Sequence, residues 1–288
     1  MINIFKKARI VLEMIKFSHT LFALPFAFMG AILSARGIPS LDKIFWILIA
    51  MVGARSAAMF LNRLIDWRID ALNPRTKDRA IPKGLVTPVQ TVIFIIASFI
   101  TFFFAAYMLN ELCFKLAPIA TGILILYSYT KRFTWLSHFV LGIALSMAPI
   151  GAWIAVKGEF EIPAFILGVA VVFWLSGFDI LYSLQDIEFD KKMRLYSIPR
   201  FLGIKKSLWV SRAFHFLMVI FLLLLYPAMA LGRFYLIGII AAAVLLIYEH
   251  SLIREDDLSK ITTAFFNANA YVSLCIFVFT LIDVVIVK

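Results

Sequence analysis

The chain has 288 residues, of which 63% are hydrophobic and 16% charged, with a formal net charge of +11. Its mean hydropathy of +0.96 sets it apart from soluble domains, where roughly 45 to 50% of residues are apolar, so a bilayer is the expected solvent. The basic residues are spread through short polar stretches between apolar runs and no nucleic-acid-binding motif accompanies them, which argues against nucleic acid as a partner.

Nine apolar runs, each long enough to cross roughly 30 Å of hydrocarbon, follow one another at residues 17–35, 44–61, 89–109, 112–129, 136–156, 163–183, 208–231, 234–250 and 263–287. Backbone polar groups inside lipid must be satisfied within a helix or a closed barrel, and runs this long are not the short alternating strands of a barrel. The expected fold is all-α, a polytopic membrane bundle of about nine transmembrane helices. No Pro-, Gly- or Ser-rich linker divides it, so residues 1–288 read as a single integral-membrane domain. The first run follows Lys6, Lys7, Arg9 and Lys16 and is longer than the roughly 7 to 15 apolar residues of a signal-peptide core; it reads as a retained helix. Cys113 and Cys275 fall inside runs and form no metal or disulfide spacing.

Nine crossings put the N-terminus and the loops at 62–88, 130–135, 184–207 and 251–262 on one side, and most of the 28 Lys and Arg residues are there. Basic loops stay in the cytoplasm. The N-terminus is therefore expected to be cytoplasmic and the C-terminus outside, in a multi-pass protein of the cell inner membrane. Such loops attract anionic lipid without further function. The more specific reading is that some of these cations meet an anionic substrate, because two of the loops also hold acids.

Those acids form two ladders: Asn62, Asp66 and Asp70, then Asp179, Asp186 and Asp190. Ionised acids at bilayer depth cost on the order of 3 kcal/mol each, so they face a cavity, a partner or an ion. Positions four apart on a helix turn through about 400°, which keeps Asn62, Asp66 and Asp70 on one face; Asp179, Tyr182, Asp186 and Asp190 are expected to form a similar stripe. Aligned carboxylates repel unless a cation lies between them, and Mg²⁺ is commonly held by one or two carboxylates plus substrate phosphates. The plain alternative is two solvated helix ends paired with neighbouring arginines. Arg75, Lys77 and Arg79 follow the first ladder, Lys191, Lys192 and Arg194 the second, and Lys131-Arg132 sits between. Acids for Mg²⁺ beside bases for phosphate oxygens describe a diphosphate site that opens to the cytoplasm. The Asp-x3-Asp echo about 120 residues apart also suggests two halves of one cavity.

The stretch from Asn62 through Asp66 and Asp70, followed by Asn73-Pro74-Arg75-Thr76 and Arg79-Ala80-Ile81-Pro82-Lys83-Gly84, resembles the first signature of the UbiA superfamily of intramembrane prenyltransferases. Asp179-Ile180-Leu181-Tyr182 running to Asp186 and Asp190, with Ser197-Ile198-Pro199 and Gly203, resembles the second, and Tyr127-Ser128-Tyr129-Thr130-Lys131-Arg132 an element between them. The resemblance implies an enzyme that ionises an allylic polyprenyl diphosphate and transfers the prenyl group to an acceptor, usually an aromatic ring. On that reading Asp66, Asp70, Asp186 and Asp190 hold Mg²⁺ with Asn62 as a neutral ligand or orienter, and Arg75, Arg79, Lys131 and Lys191 clamp the diphosphate. Tyr127 and Tyr182 face the allylic cation, and Asp179 stabilises it or takes the ring proton. Many relatives have Gly after the second ladder where this chain has Met193-Arg194.

Lys16 and Arg55 are cations in or beside apolar helices on the same side, Arg55 two turns before Asn62. Either suits the carboxylate of an aromatic acid; the plain reading is a snorkelling anchor for Lys16. His19 and His138 are lone histidines that read as packing or interfacial residues rather than catalytic ones. The segments Lys16–Phe26, Tyr248-Glu249-His250 and Ala264–Asn269 resemble the bacterial branch acting on 4-hydroxybenzoate in ubiquinone biosynthesis; a dihydroxynaphthoate of menaquinone biosynthesis carries the same groups. No obligate protein partner is evident. An ion-coupled transporter fits less well, since its acids belong in mid-span or at broken helices. A CDP-alcohol phosphotransferase would show an Asp-Gly and Ala-Arg signature that is absent.

Overall fold

The structure, a computed structural model, describes residues 4–15 and 20–286; Lys16 and His19 lie outside the described residues. Every element in it is helical: α1 Ile4–Met14, α2 Thr20–Ala35, α3 Leu41–Leu72, α4 Pro88–Leu109, α5 Glu111–Thr130, α6 Ser137–Lys157, α7 Ile162–Ser183, α8 Ile187–Met193, α9 Ile198–Met229, α10 Arg233–Leu252, α11 Ile261–Thr263 and α12 Asn269–Leu281. Eight helical stretches among the described residues are long and apolar enough to cross a membrane, which establishes the polytopic α-helical class. The expected first crossing contains a 16-residue helix with Pro25 inside it.

The chain folds into two compact units, one made of Met1–Thr20 and Phe45–Tyr129, the other of Leu21–Ile44 and Thr130–Lys288. The first unit packs Met14, Phe60, Ile81, Val86 and Ile95 into one cluster. α3 and α4 approach closely at Gly53, where a Cβ would stand 2.7 Å from the Phe102 amide nitrogen. Thr87-Pro88-Val89-Gln90 starts α4 with a capping box: Thr87 Oγ1 accepts from the Gln90 amide at 3.2 Å and Gln90 Oε1 from the Thr87 amide at 2.9 Å.

In the second unit α7 is the most deeply buried span. Its Leu167, Val171, Trp174, Leu175 and Phe178 join Phe26, Met29 and Leu33 of α2 and Leu222 and Leu225 of α9 in the largest hydrophobic cluster. Gly142 of α6 lets that helix come so close to α7 that an added Cβ would lie 2.6 Å from the Val172 carbonyl oxygen. α9 bends at Gly203, whose φ of 76° and ψ of 174° are a combination open essentially to glycine alone. α10 is capped from far along the chain. Asp283 accepts from the amides of Gly232 at 2.6 Å, Phe234 at 3.1 Å and Tyr235 at 3.2 Å, satisfying donors that the first turn of a helix leaves open.

Candidate active site

The first ladder stands on the last turns of α3. Asp66 is 1% exposed and Asp70 4%, so both carboxylates have left water and need compensation. Asn62 Nδ2 donates to Asp66 Oδ2 at 3.2 Å. Arg79 supplies a counter-charge: its Nη1 lies 2.7 Å from Asp70 Oδ1 and 2.6 Å from Oδ2. The loop that returns Arg79 to α3 is made by its own polar residues. Asn73 Oδ1 accepts from the Arg75 amide at 2.9 Å, and Thr76 Oγ1 donates to the Asp70 carbonyl at 3.1 Å, an Asx-type turn that folds the chain back. Arg75 and Lys77 remain exposed, and Lys83 pairs with exposed Asp78 at 2.9 Å, holding that carboxyl below the usual carboxylate range.

Arg63 was not singled out by motif, yet it is 7% exposed and within electrostatic reach of Arg79, Asp70, Tyr127 and Asp66. Its place between Asn62 and Asp66 was the available signal, since an arginine within two turns of two buried acids shares their helix end. Arg55, two turns earlier on α3, has a buried Nε with no hydrogen-bond partner among the described residues. Such a cation within an apolar span calls for an anion.

The second ladder is not the single stripe its spacing suggested. α7 stops at Ser183, a 3₁₀ turn covers Leu184–Asp186, and α8 begins at Ile187. Ser183 Oγ donates to the Ile180 carbonyl at 2.9 Å and Gln185 Nε2 to the Tyr182 carbonyl at 3.0 Å; side chains that bond carbonyls of the preceding turn compete with the helix ladder. Asp190 is 9% exposed and accepts from Ser197 Oγ at 2.7 Å, with Asp186, Lys131 and His138 in electrostatic reach. Lys131 also ties the loop through its carbonyl, which accepts from the Tyr196 amide at 2.7 Å. Lys191 is exposed and bound to exposed Glu188 at 2.8 Å. α8 ends at Arg194 with φ of 56°, the left-handed conformation that glycine adopts without strain.

His138 is not the isolated packing residue its sequence context suggested. Its Nδ1 lies 2.7 Å from Asp179 Oδ2 and its Nε2 accepts from the Ile198 amide at 3.4 Å. An acceptor Nε2 places the ring hydrogen on Nδ1, so His138 donates to an Asp179 carboxylate. The start of α9 thus steadies both acids, Asp190 through Ser197 and Asp179 through His138.

Among the described residues no three His, Cys, Asp or Glu side chains converge into a ready-made metal cage. Mg²⁺ does not require one, because substrate phosphates and water complete its shell beside one or two carboxylates. In each unit the donors are oxygens, those of Asp66 and Asp70 beside Arg79 in the first and those of Asp190 beside Ser197 in the second, a chemistry that suits that cation.

Residues 23–271 match the UbiA prenyltransferase family, to which the chain therefore belongs: it is a membrane-embedded, prenyl-transferring enzyme. The 4-hydroxybenzoate octaprenyltransferase of Vibrio atlanticus (strain LGP32) is 30% identical over 253 residues, covering 85% of this chain and 86% of that protein. The apo structure of a UbiA homolog from Aeropyrum pernix K1 matches with a TM-score of 0.83 at 32% identity over 91% of this chain and 96% of that one. A UbiA homolog from Archaeoglobus fulgidus, solved bound to DMAPP and Mg²⁺, shares the fold with a TM-score of 0.70 at 22% identity over 94% of this chain and 98% of that one.

Proposed function

We propose that this enzyme transfers a polyprenyl group from an allylic prenyl diphosphate to the ring of a 4-hydroxybenzoate-type acid in ubiquinone biosynthesis and releases diphosphate. The observation that carries this reading is the burial of Asp66 and Asp70 at the end of an apolar span, with Arg79 across both oxygens of Asp70. The 30% identity with an octaprenyltransferase of that name supports the acceptor.

Asn62, Asp66 and Asp70 of the first ladder, and Asp186 and Asp190 of the second, are the ligands for Mg²⁺, which when bound neutralises charge on the departing diphosphate. Arg75, Arg79, Lys131 and Lys191 bind diphosphate oxygens. The allylic carbon–oxygen bond breaks with its electron pair going to the diphosphate, and the allylic cation is met by the ring faces of Tyr127 and Tyr182. The ring carbon beside the phenol hydroxyl forms the new carbon–carbon bond and gives its proton to Asp179. His138 already holds Oδ2 of that carboxylate, leaving Oδ1 for the proton. Arg55, whose Nε has no hydrogen-bond partner among the described residues, binds the acceptor carboxylate, and Lys16 is a second candidate for that role. The concentration of Lys and Arg beside the ladders supports a site open to the cytoplasm, in the inner membrane, with the N-terminus on the same side.

The test incubates membranes with labelled geranyl diphosphate, Mg²⁺ and a panel of aromatic acids that includes 4-hydroxybenzoate and a dihydroxynaphthoate, comparing wild type with Asp66→Ala and Asp186→Ala. Product is expected with 4-hydroxybenzoate, dependent on Mg²⁺ and lost in both variants. Turnover without divalent metal, or full activity in both variants, refutes the mechanism, and product from the dihydroxynaphthoate alone refutes the acceptor.

A further inference from the structure

One group of cations is left unused by the prenyl-transfer chemistry. A cavity of about 400 Å³ lies where α9 and α10 meet the loop after α10, lined by Lys205, Trp209, Arg212, His250, Arg254 and Glu255. Arg212 lies within the membrane-length helix α9, with its guanidinium 5.1 Å from the centre of the Trp209 ring. Among the described residues none of Lys205, Arg212 and Arg254 forms an ion pair with a carboxylate. Three cations therefore share one cavity with a single acid, Glu255, which none of them grips. The inner wall ends on His250, whose Nδ1 has no hydrogen-bond partner among the described residues. A cation in an apolar helix is costly unless an anion answers it; among the described residues no carboxylate pairs with Arg212, while Arg254 is within electrostatic reach of Asp257 at the exposed rim.

The surroundings identify the source of that anion. From Arg212, α9 continues through exposed Phe216 and Leu223, and α10 approaches His250 through exposed Val244 and Ile247. These are apolar side chains suited to hydrocarbon, leading to a cationic cavity at the helix ends. Trp209, 62% exposed, has the amphipathic character that concentrates tryptophan at the headgroup level. We propose that this cavity binds the phosphate headgroup of an anionic glycerophospholipid, with Lys205, Arg212 and Arg254 on the phosphate and the acyl chains along the exposed faces of α9 and α10. Basic pockets between membrane helices bind lipid phosphates in this manner. None of the residues lining the cavity belongs to the two acid ladders.

Full-length protein is reconstituted in nanodiscs of phosphatidylcholine alone or of phosphatidylcholine with phosphatidylglycerol, and lipid retention is read by native mass spectrometry after extraction. Wild type is expected to retain one phosphatidylglycerol in preference to phosphatidylcholine. Lys205→Gln/Arg254→Gln, which alters two exposed side chains and leaves the span intact, is expected to weaken that retention roughly 10- to 30-fold. The melting temperature should rise with phosphatidylglycerol in wild type and not in the double variant, while the two proteins melt alike in phosphatidylcholine. Equal retention of both lipids, or unchanged retention in the double variant, overturns the proposal. A further arm adds inorganic phosphate: if it displaces phosphatidylglycerol or reproduces its stabilisation, the ligand is a soluble phosphate and the lipid assignment fails.

Discussion

Gly142→Ala tests whether contact between α6 and α7 maintains the geometry of the acids. The added methyl would lie 2.6 Å from the Val172 carbonyl oxygen and 2.7 Å from Ser176 Oγ, whereas carbon and oxygen settle at about 3.3 to 3.6 Å. The helices must therefore separate by roughly 0.7 Å at that point. Ser176 Oγ lies 3.2 Å from the His138 carbonyl, and a further 0.7 Å would carry that pair to about 3.9 Å, beyond hydrogen-bonding distance. Overpacking costs about 1 to 3 kcal/mol and the lost hydrogen bond about 1 kcal/mol, so a destabilisation of about 2 to 4 kcal/mol is expected. Thermal unfolding in detergent should show a fall of roughly 5 to 10 °C. Because His138 is one turn before Gly142 and holds Asp179, the prenyl-transfer kcat should fall at temperatures where the variant is still folded. A wild-type melting temperature with unchanged kcat would show that the contact neither limits packing nor steadies Asp179.

Arg194→Gly removes a side chain from a left-handed position and should stabilise the protein by about 1 kcal/mol, read as a higher melting temperature; a lower one would mean that the Arg194 side chain has a stabilising contact of its own. Ser197→Ala deletes both the donor to Asp190 and the acceptor for the Arg200 amide, at a cost of about 2 to 3 kcal/mol, and Ser197→Thr should restore most of it in the same melt. Glu249 is fully buried, with Oε1 accepting from Asn269 Nδ2 at 2.7 Å and Oε2 without a hydrogen-bond partner among the described residues, 3.7 Å from His215 Nδ1. Glu249→Gln keeps the acceptor and removes the carboxyl, so it should unfold at or above the wild-type temperature, whereas Glu249→Ala strands the Asn269 amide and should lose about 1 to 3 kcal/mol.

The bilayer made much of the fold legible. Runs at 89–109, 112–129 and 234–250 lie within a few residues of α4, α5 and α10, because a span must be both apolar and helical. The run at 44–61 missed how far α3 continues, to Leu72: hydropathy reads contact with lipid, and the polar turns of the ladder are helical without being lipid-facing. The first ladder was readable because helical period and chemistry coincide on α3. The break at Leu184–Asp186 was not, since it is made by side-chain bonds from Ser183 and Gln185 that no period encodes. Nor was the task of His138, whose partner Asp179 lies 41 residues away, a distance that only the packing of α6 on α7 closes.

Asp283 gives the order of assembly a constraint. As the chain emerges from the ribosome, α10 is complete some 30 residues before the carboxylate that accepts from Gly232, Phe234 and Tyr235 is synthesised. Until then three amides at its start lack this acceptor, which is the one that closes the first turn in the folded protein. The cap on α10, rather than the helix itself, therefore forms only after Asp283 has been made and α12 has packed against α10.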